Sequence, residues 1–410
     1  MKNIKMGIIA DDFTGAADAA SFLVKGGNKV VLCNSIPEKI TCDCDYIVIA
    51  EKIRSVDPEI ALERIKKDLQ FLSKLNVNRI YYKFCSTFDS TRKGNIGPVM
   101  DYLLDTFEQD FSILCPSLPI NGRTVKDGIL YVDNIPLSSS PLKDHPLNPM
   151  WDSNICNLMK PQSKYPCFVI KKEDVNGKTI GKIISQHLNN RFYIIPDYVN
   201  EEDGKQIARV FKDLKIMGGG SGLLEFIGDY CNSHERGITT VRVPKRSVIL
   251  CGSCSLATKR QINYFRNKGG RLLPINGEKV FCGEVTIDKT VKTILKNLPE
   301  STLVYSDAID KDFHDVKRET QFYLISKALE DFFALLGKRL VEYNFDGILV
   351  AGGETSGAVM LKLGYQSFYI EKSIAPGVPI LIPEQDKNVS IILKSGNFGN
   401  DDFFTKALRW

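Results

Sequence analysis

The sequence is short of the groups that announce metal, redox or nucleic-acid chemistry. Only 4 of its 410 residues are histidine, which leaves a multi-histidine metal centre without ligands. It has 2 tryptophans, and 54 Lys+Arg against 49 Asp+Glu leave a net charge of +5, too slight a bias to argue for a nucleic-acid partner. No apolar run approaches the roughly 20 residues of a membrane-spanning helix. The opening MKNIKMGIIADD puts acids directly after a short apolar run, the mark of a first strand rather than a signal peptide. Its glycine-rich turns match neither GxGxxG nor a Walker A loop. These absences disfavour a dinucleotide-dependent dehydrogenase, a membrane protein and a nucleic-acid binder.

What is present is globular. Hydrophobic residues make up 43% and charged residues 25%, and 410 residues suffice for two or three domains. The 11 cysteines are odd in number and scattered. Cys33, Cys85, Cys115, Cys167 and Cys251 sit in or beside apolar runs, where cysteine behaves as a small hydrophobe. Cys251-Gly252-Ser253-Cys254 is formally a CxxC but lacks a second pair, so structural, reduced thiols in a cytoplasmic protein are expected.

Short apolar runs alternate with amphipathic stretches. Strands are expected at Met6–Ala10, Lys29–Cys33, Tyr46–Ala50, Arg79–Phe84 and Phe111–Cys115, with helices at Ala16–Lys25 and Pro58–Leu75. Ile129–Val132 and Ile135–Leu137 flank Asp133-Asn134 as a hairpin. Pro141 to Pro161 is an excursion, and the alternation resumes at Phe168–Lys171, Phe192–Pro196 and a helix over Glu201–Leu214. A polar boundary at Asn232–Lys245 precedes strands at Ser247–Cys251, Thr302–Tyr305 and Gly347–Ala351 and a helix over Phe322–Tyr343. The pattern predicts an α/β protein of two domains, residues 1–235 and 246–410, each a mainly parallel sheet flanked by helices.

In such sheets ligands bind beyond the carboxyl ends of the strands. Asp11-Asp12-Phe13-Thr14-Gly15 follows the first strand, where an acid can hold a hydroxyl, hold Mg²⁺ through water, accept a proton, or simply cap the next helix. Lys83-Phe84-Cys85-Ser86, continuing through Asp89 to Gly97, crowds hydroxyls, a carboxylate and cations together, which suits a small anionic ligand or a solvated loop. Gly218–Gly222 is either an anion-binding turn or a tight strand-to-helix turn. Ser253 and Ser255 in the Gly252–Thr258 loop can cap a helix or bind phosphate. Gly352-Gly353-Glu354-Thr355 offers backbone amides at a helix start, and Lys394–Gly399 adds a cation and a further glycine turn. Arg54, Arg123 and His145 are loop residues whose bland readings are solvated or turn-stabilising side chains. A glycine-rich group in each half fits a two-lobed phosphoryl-transfer enzyme.

At these residues the sequence resembles the four-carbon acid sugar kinases, on Ile9–Ala16, Gly252–Thr258, Gly352–Gly357 and Lys394–Gly399 with Asp402-Phe403-Phe404. Tyr82–Thr91, Gly94–Pro98, Cys115-Pro116, Asn121–Val125 and His145-Pro146-Leu147 are similar to the subgroup of 3-oxo-tetronate 4-kinases. The resemblance implies a sugar-acid-binding N-terminal domain, a nucleotide-binding C-terminal domain and an active site in the cleft between them. It implies transfer from ATP, with Mg²⁺, to the 4-hydroxyl of a 3-oxo-tetronate. The alternatives are a threonate or erythronate kinase and a non-catalytic sensor. The resemblance places substrate at Asp11, Asp12, Arg54 and Lys83–Ser86 (hence Phe84 and Cys85), with Arg123 as a further cation. It places nucleotide at Ser253, Ser255, Gly352, Gly353, Glu354, Thr355, Gly396, Asn397 and Gly399. Asp12, with Asp89 second, is the expected base. One departure is Ile53, where the family has a small hydroxylated residue. The partners implied are a small acid and ATP, no nucleic acid and no membrane, with room for a homodimer.

Overall fold

The computed structural model describes residues 4–34, 36–37, 44–144, 148–187, 190–227, 243–307 and 316–409. The chain divides into two compact units, Met1–His234 and Glu235–Trp410. Among the described residues no helix is long and apolar enough to cross a membrane.

The first unit is built from β1 (Met6–Ala10), α1 (Phe13–Lys25), β2 (Val30–Cys33), β3 (Tyr46–Ala50), α2 (Pro58–Lys74), β4 (Ile80–Lys83), α3 (Ile96–Thr106) and β5 (Phe111–Cys115). Then follow β6 (Arg123–Lys126), β7 (Ile129–Val132), β8 (Ile135–Pro136), α4 (Ile155–Met159), β9 (Cys167–Ile170), α5 (Gly177–Gln186), β10 (Phe192–Pro196), α6 (Glu201–Phe211), β11 (Ile216–Gly219) and α7 (Leu224–Ile227). Its main sheet runs β2-β3-β1-β4-β11-β5-β10-β9, with every pairing parallel. Both faces of such a sheet are covered, so β1, β3 and β10 are buried at every position and read as unbroken apolar runs. Ile9, Ile49, Ile65, Leu72, Val99 and Leu103 belong to its core.

From β1 the chain moves to one side through β2 and β3, then crosses back to β4 on the other side of β1. That reversal makes the carboxyl ends of β1 and β4 the place where a crevice opens. The excursion after β5 is a three-stranded antiparallel sheet, β6-β7-β8. Asp133 and Asn134 both take positive φ, 50° and 66°, as a two-residue turn between twisted strands demands. The sequence pattern points to the hairpin but not to β6, because four residues with a charge at each end carry too little alternation.

The second unit comprises β12 (Ser247–Cys251), α8 (Leu256–Asn267), β13 (Arg271–Asn276), α9 (Gly277–Phe281), α10 (Ile287–Lys296), β14 (Thr302–Asp307) and α11 (Val316–Glu342). It continues with β15 (Gly347–Ala351), α12 (Gly353–Leu363), β16 (Ser367–Ala375), β17 (Val378–Pro383), β18 (Ser390–Lys394) and α13 (Phe403–Lys406). Its strand order is β13-β14-β12-β15-β18-β17-β16, parallel through β18 and antiparallel at β17 and β16. Here the order reverses between β12 and β15. Ile249, Leu303, Leu349, Ile380, Ile392 and Phe404 lie in its core.

Candidate active site

Each reversal point gathers chemistry. In the first unit Asp11 and Asp12 stand at the end of β1. Asp11 is buried and receives a two-pronged pair from Arg54, Nε to Oδ2 at 2.9 Å and Nη2 to Oδ1 at 2.8 Å. The same Nη2 lies 2.7 Å from Asp12 Oδ1. Arg54 reaches them because its own amide and that of Ile53 donate to the Asp11 carbonyl. Burial raises the Asp11 carboxyl above its ordinary value even against Arg54.

Asp12 is the N-cap of α1. The Gly15 amide donates to Oδ1 at 2.7 Å and the Thr14 hydroxyl to Oδ2 at 2.7 Å. Burial would raise its carboxyl, but Arg54, Thr14, Lys83 and the Gly15 amide together hold it below the usual range. The cap and the charged site are thus one residue.

Lys83 closes β4 and is buried, its Nζ donating to the Phe84 carbonyl at 3.1 Å and lying 3.6 Å from Asp18 Oδ2. A Cβ on Gly15 would meet Asp12 Oδ1 at 2.4 Å, Lys83 Nζ at 3.3 Å and Arg54 Nη2 at 3.6 Å. The missing side chain at Gly15 therefore makes room for both cations beside the acids. Phe84, expected against substrate, is wholly buried with its ring edge-on to Phe88; it offers its carbonyl, not its ring. Ser86 is buried beside Gly220, and the half-buried Cys85 thiol, 2.9 Å from Thr87 Oγ1, is pushed up by burial. Phe88 takes φ 50°, a left-handed backbone that a bulky side chain adopts only when packing holds it. The next residue, Asp89, is half-buried and makes no hydrogen bond or ion pair among the described residues.

Arg123 is not brought into this charged cluster. It is buried in β6, donates through Nη1 to the Asn121 carbonyl, leaves Nε without a partner, and makes no ion pair among the described residues. Its backbone pairs with Leu118, whose Cα would lie 3.1 Å from a Cβ on Gly222. His145 lies outside the described residues.

In the second unit three loops converge. A Cβ on Gly252 would meet Thr355 Oγ1 at 2.0 Å, one on Gly352 the Ser253 amide at 3.1 Å, and one on Gly396 the Ser253 Oγ at 2.7 Å. Gly352 adopts φ 118° as N-cap of α12, a conformation open in practice to glycine. Thr355 and Ser356 are buried in the first turn, whereas Glu354 and Asn397 are exposed. Ser255 caps α8 by accepting from the Thr258 amide at 3.1 Å, and its hydroxyl donates to the Gly396 carbonyl at 2.6 Å. Lys394 is wholly buried, with Nζ donating to Thr258 Oγ1 at 3.2 Å and to the Ser395 and Gly396 carbonyls at 3.0 Å each. The Gln261 amide holds the carbonyls of Phe398, Gly399 and Asn400. Cys251 and Cys254 are free thiols, the former buried and pushed up to about 12, the latter exposed.

Family models match both parts: a sugar-binding N-terminal domain over residues 6–227 and a nucleotide-binding C-terminal domain over residues 248–404. A 3-oxo-tetronate kinase from Haemophilus influenzae is 36% identical over 98% of this chain and 98% of its own. The chain belongs to the 3-oxo-tetronate kinase family. A member from Brucella melitensis is also 36% identical, covering 99% of this chain and 95% of its own. Solved structures agree: one from Haemophilus influenzae has a TM-score of 0.73 at 36% identity, covering 98% of each chain. One from Salmonella typhimurium, described as a tRNA synthase, has a TM-score of 0.80 at 34% identity, covering 99% of each chain.

Two polar residues in this member of the family, Asp18 and Gln261, escape a reading of loops alone, because both lie inside helices that look structural. Ser221, Thr258 and Lys394 fall within stretches that the sequence marks, but their partners do not show there. A signal exists for Asp18, a lone acid in the run Ala16-Ala17-Asp18-Ala19-Ala20. An ionisable group on a helix buried nearly all round needs a partner from elsewhere in the fold.

Proposed function

We propose that the protein is an ATP-dependent kinase that phosphorylates the 4-hydroxyl of a 3-oxo-tetronate. The observation that carries this reading is the full-length similarity to proteins named 3-oxo-tetronate kinase. The tRNA-synthase description of the Salmonella structure is set aside, because a curated relative from the same strain, also 34% identical, is named 3-oxo-tetronate kinase.

Lys83 and the open edge of Arg54 receive the substrate carboxylate. Asp12 is engaged by three donors and serves to anchor Arg54 and α1. Asp89, next to the strained turn at Phe88, makes no hydrogen bond or ion pair among the described residues; it orients the 4-hydroxyl and takes its proton. Phosphoryl transfer needs little from the protein beyond position and charge. Backbone amides of Gly352–Thr355 at the start of α12 and the Gly396–Gly399 turn hold the nucleotide phosphates, and Lys394 adds a positive field beneath that turn.

No group of three or more metal-ligating side chains occurs among the described residues. Mg²⁺ would be brought by the nucleotide; Glu354 in the first turn of α12 would hold it, and the ion would neutralise charge on the transferring phosphoryl group.

A coupled ADP-release assay over 3-oxo-tetronates, threonate and erythronate tests the reading. The expected result is a kcat/KM for one 3-oxo-tetronate at least ~100-fold above the reduced acids. Preference for threonate or erythronate would move the protein to the aldonate kinases. Tight nucleotide binding with no turnover of any acid would make it a sensor.

A further inference from the structure

Asp18 is the buried acid beside the Arg54–Lys83 cluster that the catalytic reading leaves unused. It sits on α1, one turn and a half beyond the Asp12 cap, and is almost wholly buried. Its Oδ2 accepts a 2.6 Å hydrogen bond from Ser221, in the glycine-rich turn after β11, and faces Lys83 Nζ at 3.6 Å. Its Oδ1 is buried with no hydrogen-bond partner among the described residues. An ionised carboxylate with an unpaired buried oxygen is costly, and a proton there removes the charge and with it the larger part of that cost.

The charges around it point the same way. Asp11, Asp12 and Asp18 share two cations, Arg54 and Lys83, so the ionised cluster has one negative charge in excess before any anion arrives. The other groups facing Asp18 do not offset this. Tyr81 on β4 gives its hydroxyl to the Gly220 carbonyl, and Asp12, the nearest other acid, is already counted. A second anion joining Lys83 must therefore be matched by a proton, and Asp18 has the open oxygen.

We propose that Asp18 is the positioning residue of the acid-binding site, aiming the Lys83 ammonium and taking up one proton when the anionic substrate binds. This rests on Lys83 receiving the substrate carboxylate, as proposed above. Burial already pushes the Asp18 carboxyl up to about 6, against the pull of Lys83 and Ser221, so it is mostly ionised at neutral pH and has a proton to gain. The substrate's own carboxyl is ionised throughout this range and contributes nothing to the uptake. Protonation costs Lys83 its nearest counter-charge and leaves the ammonium to the substrate.

The test is titration calorimetry of the full-length protein with the 3-oxo-tetronate that it turns over, at pH 7, in buffers of different ionisation enthalpy. The expected result is uptake of roughly half to one proton, with KM rising up to ~10-fold per pH unit above neutrality. Asp18→Asn, which mimics the protonated acid, should bind with no uptake and with a KM that does not change with pH. Asp18→Ala should bind at least ~10-fold more weakly at every pH, since nothing then aims Lys83. Tight binding by the wild type with heat independent of the buffer would overturn this inference alone. No binding of the acid to the wild type would overturn the proposed function and this inference with it. Because the wild-type titration needs no variant, a folding defect in either substitution leaves the test intact.

Discussion

Arg54 and Asp11 form a closed two-point pair, Nε to Oδ2 and Nη2 to Oδ1, across 43 residues of sequence. A guanidinium matches a carboxylate in this geometry in a way that an ammonium does not. Arg54→Ala would leave Asp11 buried and unpaired, so it should cost about 3 kcal/mol of stability, within the range for breaking a buried pair. Arg54→Lys keeps the charge but loses one prong, and should lose less. Urea unfolding of the two variants beside the wild type measures both. Equal stability in all three would mean that the pair contributes binding only.

Asp12 and Asp89 separate by what they already hold. Asp89→Asn should lower kcat by roughly 10²-fold and leave KM for the acid nearly unchanged, as expected for a group that acts in the transition state. Asp12→Asn keeps a capping side chain but frees Arg54, so its main effect should be a raised KM and lower thermal stability. Steady-state kinetics with melting curves for both variants decides. If Asp12→Asn is the one that loses turnover at constant KM, the roles are reversed.

Much of this was open to inspection in the sequence, and the remainder was not, for physical reasons. Buried parallel strands are continuous apolar runs, so Met6–Ala10, Tyr46–Ala50 and Gly347–Ala351 mark themselves, and the loops after them, with Gly15 and Gly352, mark the candidate site edges. Partner choice is a different matter. That Arg54 spends its fork on Asp11, that Asp12 is both cap and site residue, and that Ser255 ties α8 to Gly396 depend on which strand ends lie side by side. The sequence pattern starts the first helix at Ala16, three residues late, because Phe13–Gly15 looks like loop in a propensity reading. Capping by Asp12 overrides that propensity.

Gly352 tests the nucleotide loop without touching the acid site. With φ at 118°, alanine there is strained whatever the space, and its Cβ would stand 3.1 Å from the Ser253 amide. Gly352→Ala should raise KM for ATP at least ~10-fold, because backbone amides bind phosphate only at close approach. Binding of the acid in the absence of nucleotide should stay at the wild-type value. Calorimetry with ADP and with the acid separately distinguishes a local effect from a general loss of fold.

Lys394 gives the nucleotide unit a pH dependence of its own. Burial pushes its ammonium down to about 8, against three oxygen acceptors that favour the charged form. The folded value lies below the unfolded one, so folding releases a proton between about 8 and the ordinary lysine value. Without nucleotide, the wild type should therefore gain stability as pH rises through that window. Nucleotide phosphates favour the charged form and reverse the preference. The dissociation constant for ADP should then rise between pH 7 and 9 as the free protein loses the Lys394 proton, approaching tenfold per unit above 8. Lys394→Met, of similar length and uncharged, should bind ADP more weakly at pH 7, show no such rise, and lose the gain in stability with pH above 8. A wild-type ADP affinity unchanged from pH 7 to 9 would remove Lys394 from nucleotide binding and leave it the loop-tying role its hydrogen bonds already show.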